Sequence, residues 1–506
     1  MDNNISALLL IMPPQSSLIN GFAAGLISLA NYIAIKCPKV TTDILDFSNQ
    51  SYNHVKEQIE LSCVKLKNKK LFVGITTTTA SYQSALLIAR MVRKVSPLST
   101  IVLGGSHASA DPENILRNHS NIVDLIIIGE GERALCELVS NYPALETIHG
   151  AAFIKEGKVT YTTSSIPLSQ DELDCIPITF GDNGLIGTPG KFDHATYISA
   201  RGCPLQCAFC TVGNDSIRTK SIPAVIRDIE TLLDMGYFRI AIEDNFFAHS
   251  PTRTKEICMA LKDIKHSRKS TFAWDCQTRV ESLARKNTIN IMAEAGCEAV
   301  YIGVESIHPE QLDYLNKTNN PVKYLQTLME LVIPSLLETN IECYLNLQFG
   351  IPGETVEQEK MTFQVLASLN ELAVSRSKTI TVFPQLHVVY PGTIHYHKGV
   401  AENRFPSDIF ESFTEWEFQQ VHVLNWLGEH FAHGTGGIPE GIFCPDLLRE
   451  GRFKVNSEAV FRISTALYSI NRLPGIKTFS YGDYVIDNKT ITADNKEDSL
   501  VVNDYK

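Results

Sequence analysis

A chain of 506 residues is long enough for two or three domains with sizeable cores. Its 44% hydrophobic and 20% charged residues make it globular rather than disordered, and a formal charge of −11 argues against broad nucleic-acid binding. No apolar run reaches the roughly 18 residues of a membrane span, and the acidic start Met1-Asp2-Asn3-Asn4 does not read as a signal peptide, so a cytoplasmic protein is expected.

The first 145 residues alternate short apolar runs with helix-length segments. Strands are predicted over 6–12, 42–47, 71–76, 100–103 and 123–128, with helices over 25–35, 81–94 and 112–118. The runs are apolar throughout, as strands covered on both faces should be, so the rhythm predicts a doubly wound parallel sheet. Such sheets bind ligands outside the carboxyl ends of their strands. The third strand runs into a hydroxyl cluster over 76–81 that includes Thr78 and Ser81. The fourth ends in Gly104-Gly105-Ser106-His107 and the fifth in Gly129-Glu130-Gly131-Glu132. Glycines there permit close approach of a flat ligand, and hydroxyls offer donors to phosphate. Neither G-x-G-x-x-G nor a Walker A sequence occurs, which disfavours nicotinamide and ATP. Residues 151–154 and 159–161 flank Glu156-Gly157-Lys158 as a predicted hairpin, and a loop over 173–191 leads onward.

Three cysteines then fall in one turn, Cys203, Cys207 and Cys210, with C-x3-C-x2-C spacing. Three thiolates can hold a four-iron cluster and leave the fourth iron open, whereas cuboidal clusters usually take four. A structural zinc would need a fourth Cys or His, and no second C-x2-C or C-x3-C pair occurs. The other nine cysteines are scattered singly and read as small buried hydrophobes.

Beyond them strand and helix alternate again. The helix predicted over 222–235 stops at Gly236, and strands over 195–199, 238–242, 272–276, 299–304, 342–348 and 379–387 make six parallel βα units, a partial barrel. Polar residues gather at the carboxyl ends of these strands: Glu243-Asp244-Asn245, Gln277 with Arg279, Glu305-Ser306, and the turn Gly350-Ile351-Pro352-Gly353.

From Tyr197 onward the chain resembles the radical S-adenosylmethionine (SAM) enzymes, carried by Cys203, Cys207 and Cys210. The first 145 residues resemble the cobalamin-binding domain that precedes the radical domain in one large subgroup, carried by 104–107 and 129–132. The D-x-H-x-x-G signature is absent, so the resemblance does not supply a lower histidine ligand to cobalt. The resemblance implies a [4Fe-4S] cluster, SAM and cobalamin. It assigns Asp244 to the methionyl amine, Glu305 and Ser306 to the ribose or carboxylate, and Phe209, Gly350 and Ile351 to the adenine. Arg279 suits a carboxylate through its fork of donors, and Gln277 lies beside it. Thr78, Ser81, Gly104, Gly105, Ser106, His107, Gly129, Glu130 and Gly131 are the implied cobalamin contacts, although His107 reads equally well as an ordinary loop residue.

The expected architecture is α/β: a doubly wound sheet over 1–145, a hairpin and linker over 146–190, a partial (β/α)6 barrel over 191–400, and a small mainly α region over 401–506. Helices are predicted over 416–427 and 453–473, and His422, His430 and His433 fit no zinc spacing. The resemblance implies a methyltransferase acting on an unactivated carbon or phosphorus of a small molecule or peptide, with a flavodoxin or ferredoxin as reductant. Two alternatives remain: a cyclase or rearrangement enzyme with the same cofactors, and a noncatalytic binding protein with a structural metal. Methylthiolation is disfavoured, because no cysteine set for a second cluster and no basic RNA-binding tail appear.

Overall fold

The computed structural model describes residues 6–14, 24–403, 411 and 476–478, apart from positions 49, 51, 80, 180–194, 270, 350, 352 and 388. The first sheet contains β1 (Ser6–Met12), β2 (Thr41–Asp46), β3 (Lys70–Thr76), β4 (Thr100–Gly104), β5 (Leu125–Ile127), β6 (Ala151–Lys155) and β7 (Lys158–Tyr161). Their order is β2-β1-β3-β4-β5-β6-β7. The first five strands are parallel, and the order reverses at β1, which places a ligand crevice at the carboxyl ends of β1 and β3. The predicted hairpin does not stand apart. It extends the sheet through antiparallel pairing of β6 with β5, and its Glu156-Gly157 turn has positive φ at both residues.

Alternate residues of the buried strands feed two cores. Leu8, Leu10, Phe72, Val102 and Ile127 face α1 (Ala24–Lys36) and a helix over Gly131–Asn141, in a cluster continuous with the core of the second domain. Leu9, Ile11, Val73, Ile75 and Leu103 pack on the other side. Each such side chain, fully buried, contributes about 1.5–3 kcal/mol. α2 (Tyr52–Lys65), which the sequence pattern did not mark, and α3 (Tyr82–Val95) cover that second face.

The second large sheet is entirely parallel: β8 (Ala195–Tyr197), β11 (Arg239–Ile242), β12 (Ala273–Thr278), β13 (Cys297–Glu305), β14 (Glu342–Phe349), β15 (Ile380–Leu386) and β16 (Ile476–Thr478), in that spatial order. Six strands match the predicted units. The seventh, β16, comes from the C-terminal region and pairs with β15, so that region contributes to the sheet as well as to any helices. A short antiparallel pair, β9 (Ala200–Arg201) and β10 (Arg218–Thr219), brackets the three cysteines. The helix Ile222–Asp234 starts with Ser221 accepting from the Ala224 amide, and Gly236 follows its end at a φ of 90°.

The scattered cysteines do not all behave as predicted. Cys63, Cys258, Cys276, Cys297 and Cys343 are buried, but Cys175 is exposed, and Cys37 pairs with Cys136 in a disulfide across α1 and the helix Gly131–Asn141. Positions 416–427 and 453–473, with His422, His430 and His433, lie outside the described residues.

Candidate functional site

The cysteine loop is folded by its own backbone. The Asp215 amide donates to the Cys203 carbonyl at 2.9 Å, Asn214 to Leu205 at 2.8 Å and Cys210 to Cys207 at 3.1 Å. Gly202 has a φ of 86°, and a Cβ there would run into the Ser216 carbonyl, so the entry to the loop requires glycine. The loop is also docked. The Ala208 amide donates to Leu315 at 2.8 Å, and the Ala208 carbonyl accepts from the His395 amide at 3.0 Å. All three thiols are free. Burial pushes the Cys210 thiol above its ordinary value, an effect that metal ligation reverses by deprotonating the thiol outright. The Arg279 guanidinium reaches the Cys207 sulfur at 3.8 Å. Among the described residues no three His, Cys, Asp or Glu side chains converge on one ion. A cubane takes each thiolate on a different iron, so the trio fits that group without such convergence.

The strand ends around this loop carry a connected polar network. Glu305 ends β13 at a bulge with a φ of 70°, a strained conformation for a residue other than glycine. One carboxylate oxygen accepts from Lys317 Nζ at 2.9 Å and the other from Gln348 Nε2 at 2.7 Å. The Lys317 carbonyl in turn accepts from Arg279, and the Lys317 ammonium lies 6.0 Å from the Phe209 ring centroid. The Gln348 amide oxygen meets His387 Nδ1 at 2.7 Å, and His387 meets His395 at 3.2 Å. Burial lowers the His387 imidazole to about 3, which keeps it neutral. Ser306 caps locally, its hydroxyl accepting from the His308 amide at 3.1 Å. Ile351 is buried, Gln277 is partly buried with its strand partner Tyr301, and Gly350 lies outside the described residues.

Asp244 is 1% exposed, and both its oxygens are engaged. Oδ1 accepts from the Ser199 and Ala200 amides at 2.6 and 2.8 Å, and Oδ2 from the Ser199 hydroxyl at 2.5 Å. The carboxylate therefore pins the bend between β8 and β9, just ahead of the cysteine loop, instead of pointing freely into the barrel. Burial pushes it up to about 6 despite these donors. Arg253, which carried no motif, also donates to Ser199, at 3.2 Å to the carbonyl and 3.3 Å to the hydroxyl.

In the first domain the predicted contacts divide. Gly104, Gly105, Gly129, Glu130 and Gly131 line a cavity of about 500 Å3 whose opposite wall is 196–202 of the second domain. A Cβ on Gly25, on the same wall, would meet nothing within 4 Å, and one on Gly104 would meet only the Ile127 carbonyl at 4.0 Å. The missing side chains leave space that a large planar ligand would take, so the residues fit a corrin or its tail. No histidine lines the cavity among the described residues. Thr78, Ser81, Ser106 and His107 are not in the lining. Thr78 and Ser81 bond each other at 3.1 Å, and Ser106 opens a short helix on the surface. His107 is 1% exposed, stacked on Tyr82 at 4.1 Å and bonded to Thr79, and burial lowers its imidazole to about 3. It supports the loop from beneath.

The residues that sequence reasoning missed are Lys317, Gln348, His387, His395, Arg253 and Arg201. Most are lone polar residues with at least one partner distant in sequence, and only the positions of Gln348 and His387 at or near the ends of predicted strands gave any signal.

Residues 25–139 match the family model of the B12 binding domain, and residues 197–366 match that of the radical SAM superfamily. The chain belongs to the radical SAM superfamily. It carries a B12-binding domain ahead of the radical domain, the arrangement of cobalamin-dependent radical SAM enzymes. The two domains imply a [4Fe-4S] cluster, SAM and cobalamin for this radical SAM enzyme. An uncharacterized methyltransferase of Pyrococcus horikoshii is 26% identical over 415 residues, covering 79% of this chain and 84% of the relative. The anaerobic magnesium-protoporphyrin IX monomethyl ester cyclase of Cereibacter sphaeroides is 28% identical over 310 residues, 58% of this chain and about half, 48%, of the cyclase. Two solved structures share the fold at 16% identity. The radical SAM methyltransferase TsrM from Kitasatospora setae, with cobalamin and [4Fe-4S] cluster bound, has a TM-score of 0.59 over 79% of this chain and 75% of its own. The cobalamin-dependent radical enzyme OxsB has a TM-score of 0.65 over 92% and 72%. No helix among the described residues is long and apolar enough to cross a membrane.

Proposed function

We propose that this radical SAM enzyme is a methyltransferase that moves a methyl group to an unactivated carbon or phosphorus of a small molecule or peptide. The observation that carries the reading is the single cavity walled by the glycine loops of the B12-binding domain on one side and by the approach to the cysteine loop on the other. When bound, the cluster, SAM and cobalamin together supply a 5′-deoxyadenosyl radical and a transferable methyl. The protein's part is to hold those groups in line and exclude solvent. Cys203, Cys207 and Cys210 hold the cluster. Phe209, Gln277, Arg279, Glu305, Ser306, Gly350 and Ile351 surround SAM, while Gly104, Gly105, Gly129, Glu130 and Gly131 approach the corrin. Residues 1–145, 191–400 and 401–506 then serve cobalamin, the radical and substrate selection in turn, with a flavodoxin or ferredoxin as reductant in the cytoplasm.

Likeness to relatives named methyltransferases supports the transfer over the rearrangement. The cyclase relative keeps the second reading in play. The deciding experiment is product mass with methyl-deuterated SAM. A labelled methyl in the product supports the transferase, and a product with no label supports the cyclase.

A further inference from the structure

The two walls of the shared cavity are tied together by ions, not only by packing. Arg201, two residues before Cys203, donates from Nη2 to Glu132 Oε1 at 2.8 Å and to the Ser28 hydroxyl at 2.9 Å. Ser28 itself donates to the same Glu132 oxygen at 2.7 Å. Glu132 sits one residue beyond Gly131 of the glycine loop and is 3% exposed. Arg201 pairs across β9 and β10 with Arg218, which donates to Glu130 Oε1 at 2.8 Å, while Arg201 Nη1 lies 3.4 Å from the same oxygen. The other Glu130 oxygen accepts from the Leu168 amide at 2.9 Å, and Arg218 Nη2 bonds Asp215 at 3.1 Å.

Buried ions of this kind are weak evidence for stability, since well-packed apolar residues of similar volume often hold two surfaces together as well or better. What the fork of an arginine adds is direction and register. Here the fork joins the loop that faces the corrin to the strand that enters the cysteine loop, 69 residues away in the chain. Residues at both ends, Glu130, Glu132, Arg201 and Arg218, line the same cavity. Most of their oxygens and nitrogens are engaged by one another and by Ser28, Leu168 and Asp215, although Arg218 Nε is buried without a hydrogen-bond partner.

We propose that Arg201 and Glu132, braced by Arg218 and Glu130, are positioning residues that fix the separation between the cobalamin loop and the cluster loop. The proposal rests on the two-cofactor reading above but not on methyl transfer. A radical formed on the cluster side must meet its partner within an ångström or so of the productive arrangement, so a loose register would lose transfer before it lost binding.

The test is the distance between cob(II)alamin and the reduced cluster, measured by pulsed electron paramagnetic resonance in the reconstituted full chain without substrate. Wild type is expected to give one narrow distribution. Arg201→Gln and Glu132→Gln are expected to widen it at least about twofold. The double variant Arg201→Met with Glu132→Leu removes both buried charges at once and keeps the interface packed. It should load both cofactors and still show the wide distribution. In the cofactor-free chain, hydrogen exchange of the 129–132 and 199–202 amides should rise about tenfold in Arg201→Gln while β13 is unchanged. A wild-type distribution in the loaded double variant, or unchanged exchange in Arg201→Gln, overturns the proposal. Failure of methyl transfer in the product-mass experiment leaves the distance unaffected, whereas a wild-type chain that takes up no cobalamin overturns the two-cofactor reading and the proposal together.

Discussion

Replacing Asp244 separates a structural pin from a SAM ligand. In Asp244→Asn the remaining Oδ1 keeps both amide bonds, from Ser199 and Ala200, and the new amide can donate to the Ser199 hydroxyl. Only the buried charge is lost. Burial raises the wild-type carboxyl from 3.8 to about 6, so the folded chain holds that proton more tightly than the unfolded chain does. The group therefore favours folding most below its unfolded value, and the advantage fades as pH rises through about 6. A carboxyl raised that far is worth about 3 kcal/mol across this pH window. Asp244→Asn should remove that slope, so its stability relative to wild type should rise by about 2 kcal/mol between pH 4 and pH 7.5, since pH 4 already lies just above the unfolded value. Asp275, pushed up to about 7 chiefly by burial, adds a slope of the same sign to both proteins and cancels in the difference. Asp244→Ala instead strands two buried amides at about 1–3 kcal/mol each, and the cysteine loop should load iron poorly. The assay is urea unfolding of cluster-free protein, read by fluorescence of the buried Trp274 on neighbouring β12 in a chain with Trp416 and Trp426 changed to Phe. Parallel pH profiles for wild type and Asp244→Asn would refute the reasoning. So would an Asp244→Asn protein that loads iron fully yet no longer cleaves SAM, since the carboxylate would then be acting on the SAM ammonium.

Other changes test the rest of the site. Cys207→Ala should abolish 5′-deoxyadenosine formation on reduction while corrin uptake, read from its visible spectrum, persists. Gly105 has a φ of 94°, and a Cβ there would lie 2.5 Å from the Thr77 carbonyl, so Gly105→Ala should cost about 1–3 kcal/mol of loop strain and reduce cobalamin uptake with the cluster intact. Lys317→Met leaves the Glu305 carboxylate buried with one donor and should destabilise the radical domain by about 3–5 kcal/mol in denaturant midpoints. Adding Glu305→Gln should recover most of that loss, and a double variant as unstable as the single would contradict the pairing.

The sequence made the large-scale pattern readable because strand periodicity and loop chemistry are local. Apolar runs located β1, β3 and β4 almost to the residue, and the spacing of Cys203, Cys207 and Cys210 marked a candidate cluster loop before any fold was known. Direction was harder. Asp244 and Glu305 sit at strand ends, yet their oxygens face backbone and Lys317, and that depends on a bend at Ser199 and a bulge after Gly303. His107 followed two loop glycines but turned inward, because Tyr82 offers a stacking face beneath the loop. Long-range partners left no local trace: Arg201 with Glu132, Cys37 with Cys136 at a separation of 99, and β16 returning to pair with β15.

On the proposed function, Cys203, Cys207 and Cys210 hold a four-iron cluster with one iron left open to SAM. The most direct test is the paramagnetic spectrum of the anaerobically reconstituted, reduced protein, recorded before and after SAM is added. The expected result is a [4Fe-4S] signal whose g values shift on addition, because SAM joins the fourth iron. A chain that binds zinc in place of iron, or a cluster signal indifferent to SAM, would contradict it.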